Sequence, residues 1–199
     1  MTELEFVTEH RRYLHKHPEL SLHEYETTKY IAHFFDDLGV PYERPLDTGV
    51  IAYLSGNSTH TIAYRADIDA LPIYEENDVS YRSEVDHVMH ACGHDIHMAS
   101  VLGVAVRLKE IENQLNGRVR IIFQAAEELG YGAVKVANTG AIDGAKAVLG
   151  YHNYPTLDIG EFAVKSGVIT SSVDRFEFKI KGKGAHAAKP EQGNDPMIV

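Results

Sequence analysis

The chain has 199 residues, 44% of them apolar, which is enough to bury a core of one to two domains. Its formal charge is −10 and no basic cluster exceeds Arg11-Arg12, which argues against nucleic acid or an anionic membrane as partner. A single cysteine, Cys92, rules out a disulfide framework within the chain and fits a reducing compartment. The acidic start Met1 to Glu5 lacks a signal-peptide pattern, and runs such as Val101 to Val106 are too short to span a bilayer. The expectation is a soluble, cytoplasmic protein.

Apolar spacings of three and four predict helices over Leu4–His17 and Glu24–Leu38. Pro18 ends the first, Ser21 is the expected cap of the second with Glu24 three residues on, and Gly39 is its stop. Val50–Leu54 and Thr61–Ala66 read as strands joined by the turn Ser55-Gly56-Asn57-Ser58. A helix through Met98, Val101, Leu102, Ala105 and Leu108 follows, then the strand Val119–Phe123 after the turn Asn116-Gly117. A helix near Ala133–Asn138 and a strand over Ala147–Tyr151 come next. Strands alternating with helices predict an α/β fold, with a mixed, mostly parallel sheet flanked by helices. From Arg175 the pattern changes to strict alternation, with Phe176, Phe178 and Ile180 against charged neighbours, and predicts a strand with one face in water. The expected organisation is a metal-binding domain over 1–172 and the first strand of a smaller α+β domain over 173–199. Pro196 reads as the first residue of a further helix, so the chain is expected to be a fragment. A half-built sheet would leave apolar surface and an open edge exposed.

Chemistry concentrates where strands end. Cys92 and His94 are two apart, a spacing that shares a face in extended chain and not on a helix, so the pair should precede the helix. There the helix dipole would favour the thiolate that a metal requires. Glu127 and Glu128 follow a buried-type strand, where adjacent carboxylates are costly without partners. One could ligate a metal and the other handle a proton, although local geometry does not say which. The alternative is a solvated acidic loop. His152 closes the set as a ligand or a strand-end histidine. Asp67 and Asp69, with Asp95, could orient ligating histidines, or Asp67 and Asp69 could cap a turn. His90, His97 and most of the twelve histidines read as packing or surface residues, and His186 as a loop histidine.

Together, His15-Lys16-His17-Pro18-Glu19-Leu20-Ser21, Arg65 to Pro72, Met89 to Asp95, Gln124 to Glu128 and Gly182 to Pro190 resemble metallopeptidase family 20. The nearest group there is the aminoacylase, hippurate hydrolase and indoleacetyl-amino-acid hydrolase type. The resemblance implies a zinc-exopeptidase-like domain with two divalent metals, held by Cys92, His94, Glu128 and His152, and Glu127 as general base. It implies that His186, on a lid, stabilises the oxyanion in the site of a partner subunit of a homodimer. Zinc suits these ligands best, and nickel, manganese or cobalt could take its place. The implied reaction is hydrolysis of an N-acyl amino acid or similar small amide through a metal-bound hydroxide. A dipeptidase or aminopeptidase, or a non-catalytic metal-binding module, is the alternative. The family's distal metal-binding histidine has no counterpart here, and Glu191 stands where relatives often have histidine. Gly130-Tyr131-Gly132 is a poor match to a phosphate loop, which disfavours a nucleotide-binding domain.

Overall fold

The computed structural model describes residues 2–172, 174 and 176–198. The chain divides into two compact units, Met1–Glu161 and Phe162–Val199.

The first unit opens with helix α1 (Glu3–Lys16). A reciprocal cap starts it: the Thr2 hydroxyl accepts the Glu5 N–H at 3.2 Å, and the Glu5 carboxylate accepts the Thr2 N–H at 2.7 Å. Helix α2 (Tyr25–Leu38) turns Ile31, Ala32 and Phe35 inward and ends at Gly39, whose φ of 65° only glycine adopts cheaply. Ser21 does not cap it. Its hydroxyl donates to Asp69 at 2.7 Å, and the Glu19 carboxylate instead accepts the N–H groups of Glu26 and Thr27 at 3.1 and 2.7 Å. A carboxylate is the stronger acceptor for a positive helix end, which frees the serine for a tertiary bond.

Strands β1 (Tyr42–Glu43), β2 (Val50–Leu54), β3 (Thr61–Asp67), β4 (Arg118–Gln124) and β5 (Ala145–Gly150) form one sheet in the order β1-β2-β4-β3-β5. The turn at Ser55–Ser58 therefore does not close a hairpin, because β4 lies between β2 and β3. The sheet is mixed and mostly parallel, as expected: β3 pairs in parallel with β4 and β5, while β2 is antiparallel to β4 and β1 and alone runs against the other four strands. Both faces of its centre are covered. Leu54, Ala66, Val119, Ile121 and Phe123 pack with Leu14, Phe35 and the Met98, Val101, Leu102, Ala105 stripe of helix α3 (His94–Glu110). Ile51, Ala63 and Ile122 pack with Val136 of helix α4 (Gly132–Asn138) and with Ala141. Each fully buried large side chain, such as Phe35 or Phe123, contributes about 1.5–3 kcal/mol. β5 is one of the two edge strands, and Val148 and Leu149 on it are half exposed. Among the described residues, no helix is long and apolar enough to cross a membrane.

In the second unit Lys183 and Asn194 form an isolated antiparallel bridge around a short 3₁₀ turn, Pro190–Gln192. The expected strand over Phe176–Ile180 forms no ladder with any described residue, and Phe176, Phe178 and Ile180 lie exposed. Alternation alone does not make a strand where no neighbour supplies hydrogen bonds. Arg175, where the alternation begins, is outside the described residues. Pro196 opens a single turn, with the Met197 N–H donating to the Asp195 side chain at 2.9 Å, rather than a helix.

Candidate metal centre

Strand β3 ends at Asp67, β4 at Gln124 and β5 at Gly150, and each runs into a segment that carries a predicted site residue. Those residues converge. Cys92, His94 and His152 each place a ligand atom within 4.8 Å of the others, and His94, Glu127 and Glu128 do the same. The Cys92 sulfur lies 3.3 Å from His152 Nε2. His94 Nε2 lies 3.8 Å from a Glu128 oxygen and 3.9 Å from a Glu127 oxygen.

Cys92 and His94 reach the same place by a different local route from the one expected. The pair is not extended: Cys92 sits in a turn, Gly93 adopts φ 86°, and α3 starts at His94. The φ of 86° is what demands glycine at 93; a Cβ there would come within 2.4 Å of the Asn153 side-chain oxygen and displace that side chain.

Hydrogen bonding aims the ligand atoms. His94 Nδ1–H donates to the Asp69 carbonyl at 2.9 Å, with a carboxylate oxygen of Asp69 at 3.3 Å. That fixes the lone pair on Nε2, which is buried and has no hydrogen-bond partner among the described residues. Glu128 Oε1 is likewise buried and unpartnered among the described residues. His152 Nδ1–H donates to the Asn153 carbonyl at 2.7 Å, which leaves its Nε2 facing Cys92. Two orphaned, convergent acceptors beside a thiol and an imidazole are what a divalent cation of borderline softness fits.

The electrostatics agree. Burial first, and then the Glu128 charge, push the Cys92 thiol up to about 12, so its surroundings oppose the thiolate despite the nearby helix N-terminus. Burial and the neighbouring Glu127 also raise Glu128, although His94 works against them. Burial alone would lower His94, but Asp69 and Asp67 outweigh it and raise its pKa. The pocket is short of positive charge. A bound cation would reverse the thiol's preference.

Asp67 and Asp69 take distinct supporting places. Asp69 also accepts the Glu128 N–H at 3.0 Å and the Ser21 hydroxyl, so it ties His94 to the glutamate turn. Burial disfavours charge on Asp67, but the His97 hydrogen bond, His94 and Arg65 prevail and hold it at about 2. Asp95 directs one oxygen to His15 at 2.8 Å and to Arg11 at 2.7 Å, and not to His94 or His152. His186, in the second unit, accepts the Ala188 N–H at 3.1 Å through Nδ1.

Three contributors escaped sequence reasoning. Glu24, fully buried, accepts the Ala126 N–H at 2.8 Å and so braces the turn before Glu127; Ala126 itself has φ 53°. His97, also buried, contacts Asp67 and Asn153. His90 is buried with neither ring nitrogen partnered among the described residues, and burial lowers it to about 4. Of these, His97 alone carried a usable signal, being one helical turn beyond His94.

A fold and a ligand cluster of this kind define a class, the metallopeptidase-like α/β domains. The chain belongs to peptidase family M20/M25/M40, whose model matches residues 63–198. It is 63% identical over 98% of its length to an uncharacterized hydrolase of Staphylococcus saprophyticus, covering 51% of that protein. It is similar in structure (TM-score 0.80, 46% identity, 83% of this chain and 47% of that chain) to the Bacillus subtilis YXEP protein, described as a dinuclear metal binding peptidase from the M20 family. It also resembles an aminobenzoyl-glutamate utilization protein from Klebsiella pneumoniae, with a TM-score of 0.58 and 25% identity over 73% of this chain and 43% of that one. The chain thus spans about half the length of the relatives it matches.

Proposed function

We propose that the complete protein is a metal-dependent hydrolase of small amides, with N-acyl amino acids as the substrate class. The observation that carries this is the pair of buried, unpartnered acceptors, His94 Nε2 and Glu128 Oε1, 3.8 Å apart beside Cys92 and His152. Cys92, His94, Glu128 and His152 would hold the metal, zinc by softness, with nickel, manganese or cobalt able to use the same donors. When bound, two such ions supply a Lewis acid for the carbonyl and bring the pKa of water to about 7.

The protein's own groups do the rest. Glu127 is the more exposed glutamate, its side chain 41% accessible against 22% for Glu128, so it is free to take a proton from the attacking water. It then returns that proton to the departing amine nitrogen. Glu128 stays at the metal. His186, supplied by a lid that begins within 173–199, would stabilise the oxyanion across a homodimer. Residues 1–172 carry the metal-binding function. The lone cysteine suits a reducing, cytoplasmic setting.

The N-acyl amino acid reading gains support from the Klebsiella relative, whose name specifies an aroylated glutamate. The description of the Bacillus relative as a peptidase favours the second reading, a dinuclear dipeptidase or aminopeptidase. A panel of N-acyl amino acids and dipeptides assayed with the full-length protein separates them. Glu127→Gln should keep metal and lose turnover by about 10²-fold or more. Equal loss of metal in that variant would reverse the two glutamate roles.

A further inference from the structure

His152 is the weakly anchored member of the cluster. It lies two residues past the end of β5, in a segment without regular structure, and it is exposed, whereas His94 is buried at the start of a long helix. A ligand so placed needs an external brace to keep its Nε2 toward Cys92.

His97 supplies one. It is 1% exposed and sits on α3 one turn after His94. The Asn153 N–H donates to His97 Nε2 at 3.1 Å, which requires the lone pair on Nε2 and places the ring proton on Nδ1. That proton is donated to Asp67 at 2.6 Å, and Arg65 holds the other Asp67 oxygen at 2.6 Å. On the far side of the same residue, the Asn153 carbonyl accepts the His152 Nδ1–H. The hydrogen bonds therefore run from Asp67 through His97 and the backbone of Asn153 to His152. The His97 and His152 rings also meet edge to face, 4.6 Å apart at 74°.

The same geometry excludes the simpler role for His97. Asp67, His94 and His97 lie close enough together to hold an ion, yet both His97 nitrogens are already engaged, one as donor and one as acceptor. We propose that His97 is a positioning residue that fixes His152 against Cys92 and His94 by holding the Asn153 peptide. The proposal rests on the metal-centre reading above.

Two substitutions divide the relay. His97→Asn keeps a donor near the Nδ1 position for Asp67 and lacks the acceptor for Asn153. His97→Gln places a carbonyl near the Nε2 position and keeps that acceptor. Cobalt(II) titration of the 199-residue chain, followed by the visible spectrum, would compare wild type, both variants, His152→Ala and the His97→Asn/His152→Ala double variant. The expected result is a ~10–100-fold loss of cobalt affinity in His97→Asn, with affinity largely kept in His97→Gln. In the His152→Ala background, His97→Asn should cause no further loss, because its effect passes through that ligand. Full additivity in the double variant, or wild-type affinity in His97→Asn, would overturn the proposal. Exchange of the Asn153 amide proton in the metal-free chain reads the same bond without the ion. Protection in wild type and in His97→Gln supports it, and fast exchange in wild type overturns it even if His97→Asn fails to fold. A wild-type chain that binds no cobalt, as His152→Ala would then also show, removes the metal centre and the relay together.

Discussion

Asp95→Asn should destabilise the fold without touching a proposed metal ligand. The Asp95 carboxylate is fully buried, and one oxygen accepts the His15 Nδ1–H at 2.8 Å and forms an ion pair with the Arg11 guanidinium, 2.7 Å from its Nε. An asparagine can keep its carbonyl at that position, but it brings no negative charge to Arg11 and His15 and buries an amide where the other oxygen has no hydrogen-bond partner among the described residues. Removing one member of a buried ion pair costs about 3–5 kcal/mol. The lower end applies, because the Arg11 side chain is 26% exposed and can turn to water, and His15 keeps Glu75 at 3.0 Å. About 3 kcal/mol corresponds to a fall in Tm of about 6–12 °C for a protein of this size. The pH dependence follows from the two groups. Burial raises the Asp95 pKa, but His15, His90 and Arg11 bring it below 3.8, so its contribution is present above 3.8 and lost as pH falls through the folded value. Burial lowers His15, but Asp95 and Glu75 raise it above 6.5, so its contribution is present below 6.5 and lost as pH rises through the folded value. Thermal melts followed by circular dichroism should therefore show the widest gap between wild type and variant from about pH 4 to 6.5. A loss of less than about 2 °C at pH 5.5, or a gap unchanged up to about pH 9, would refute the reasoning.

Other substitutions test the braces around the site. Glu24→Ala removes the acceptor of the Ala126 N–H, and should cost about 1–3 kcal/mol in denaturant melts while loosening the turn that carries Glu127 and Glu128. Asp69→Asn keeps the shape but weakens the acceptor of the Glu128 N–H and the charge facing His94, and should lower zinc affinity ~10–100-fold in a competition titration.

Much of the scaffold was legible because its causes are local. The helices α1, α2 and α3 follow from apolar spacing, and the Gly39 stop from the left-handed conformation that glycine tolerates. The insertion of β4 between β2 and β3 was not legible, because strand order is decided by pairing between distant segments and not by the turn that follows a strand. Ser21 misled for the same reason: its partner, Asp69, is 48 residues away. At the site, the donor types of Cys92, His94, Glu127, Glu128 and His152 marked them in sequence, and the fold brings them together. Their supports were hidden. Glu24 is a buried carboxylate at a helix start, indistinguishable from a solvated one until Ala126 is placed against it. His97 was one of twelve histidines, and its role depends on a backbone amide 56 residues away.

Metal content per chain tests the central claim most directly, by elemental analysis of the 199-residue protein after mild purification, with Cys92→Ala alongside. The account predicts about one divalent ion or more per wild-type chain and a clear reduction in the variant. A wild-type chain holding no more metal than Cys92→Ala would contradict it.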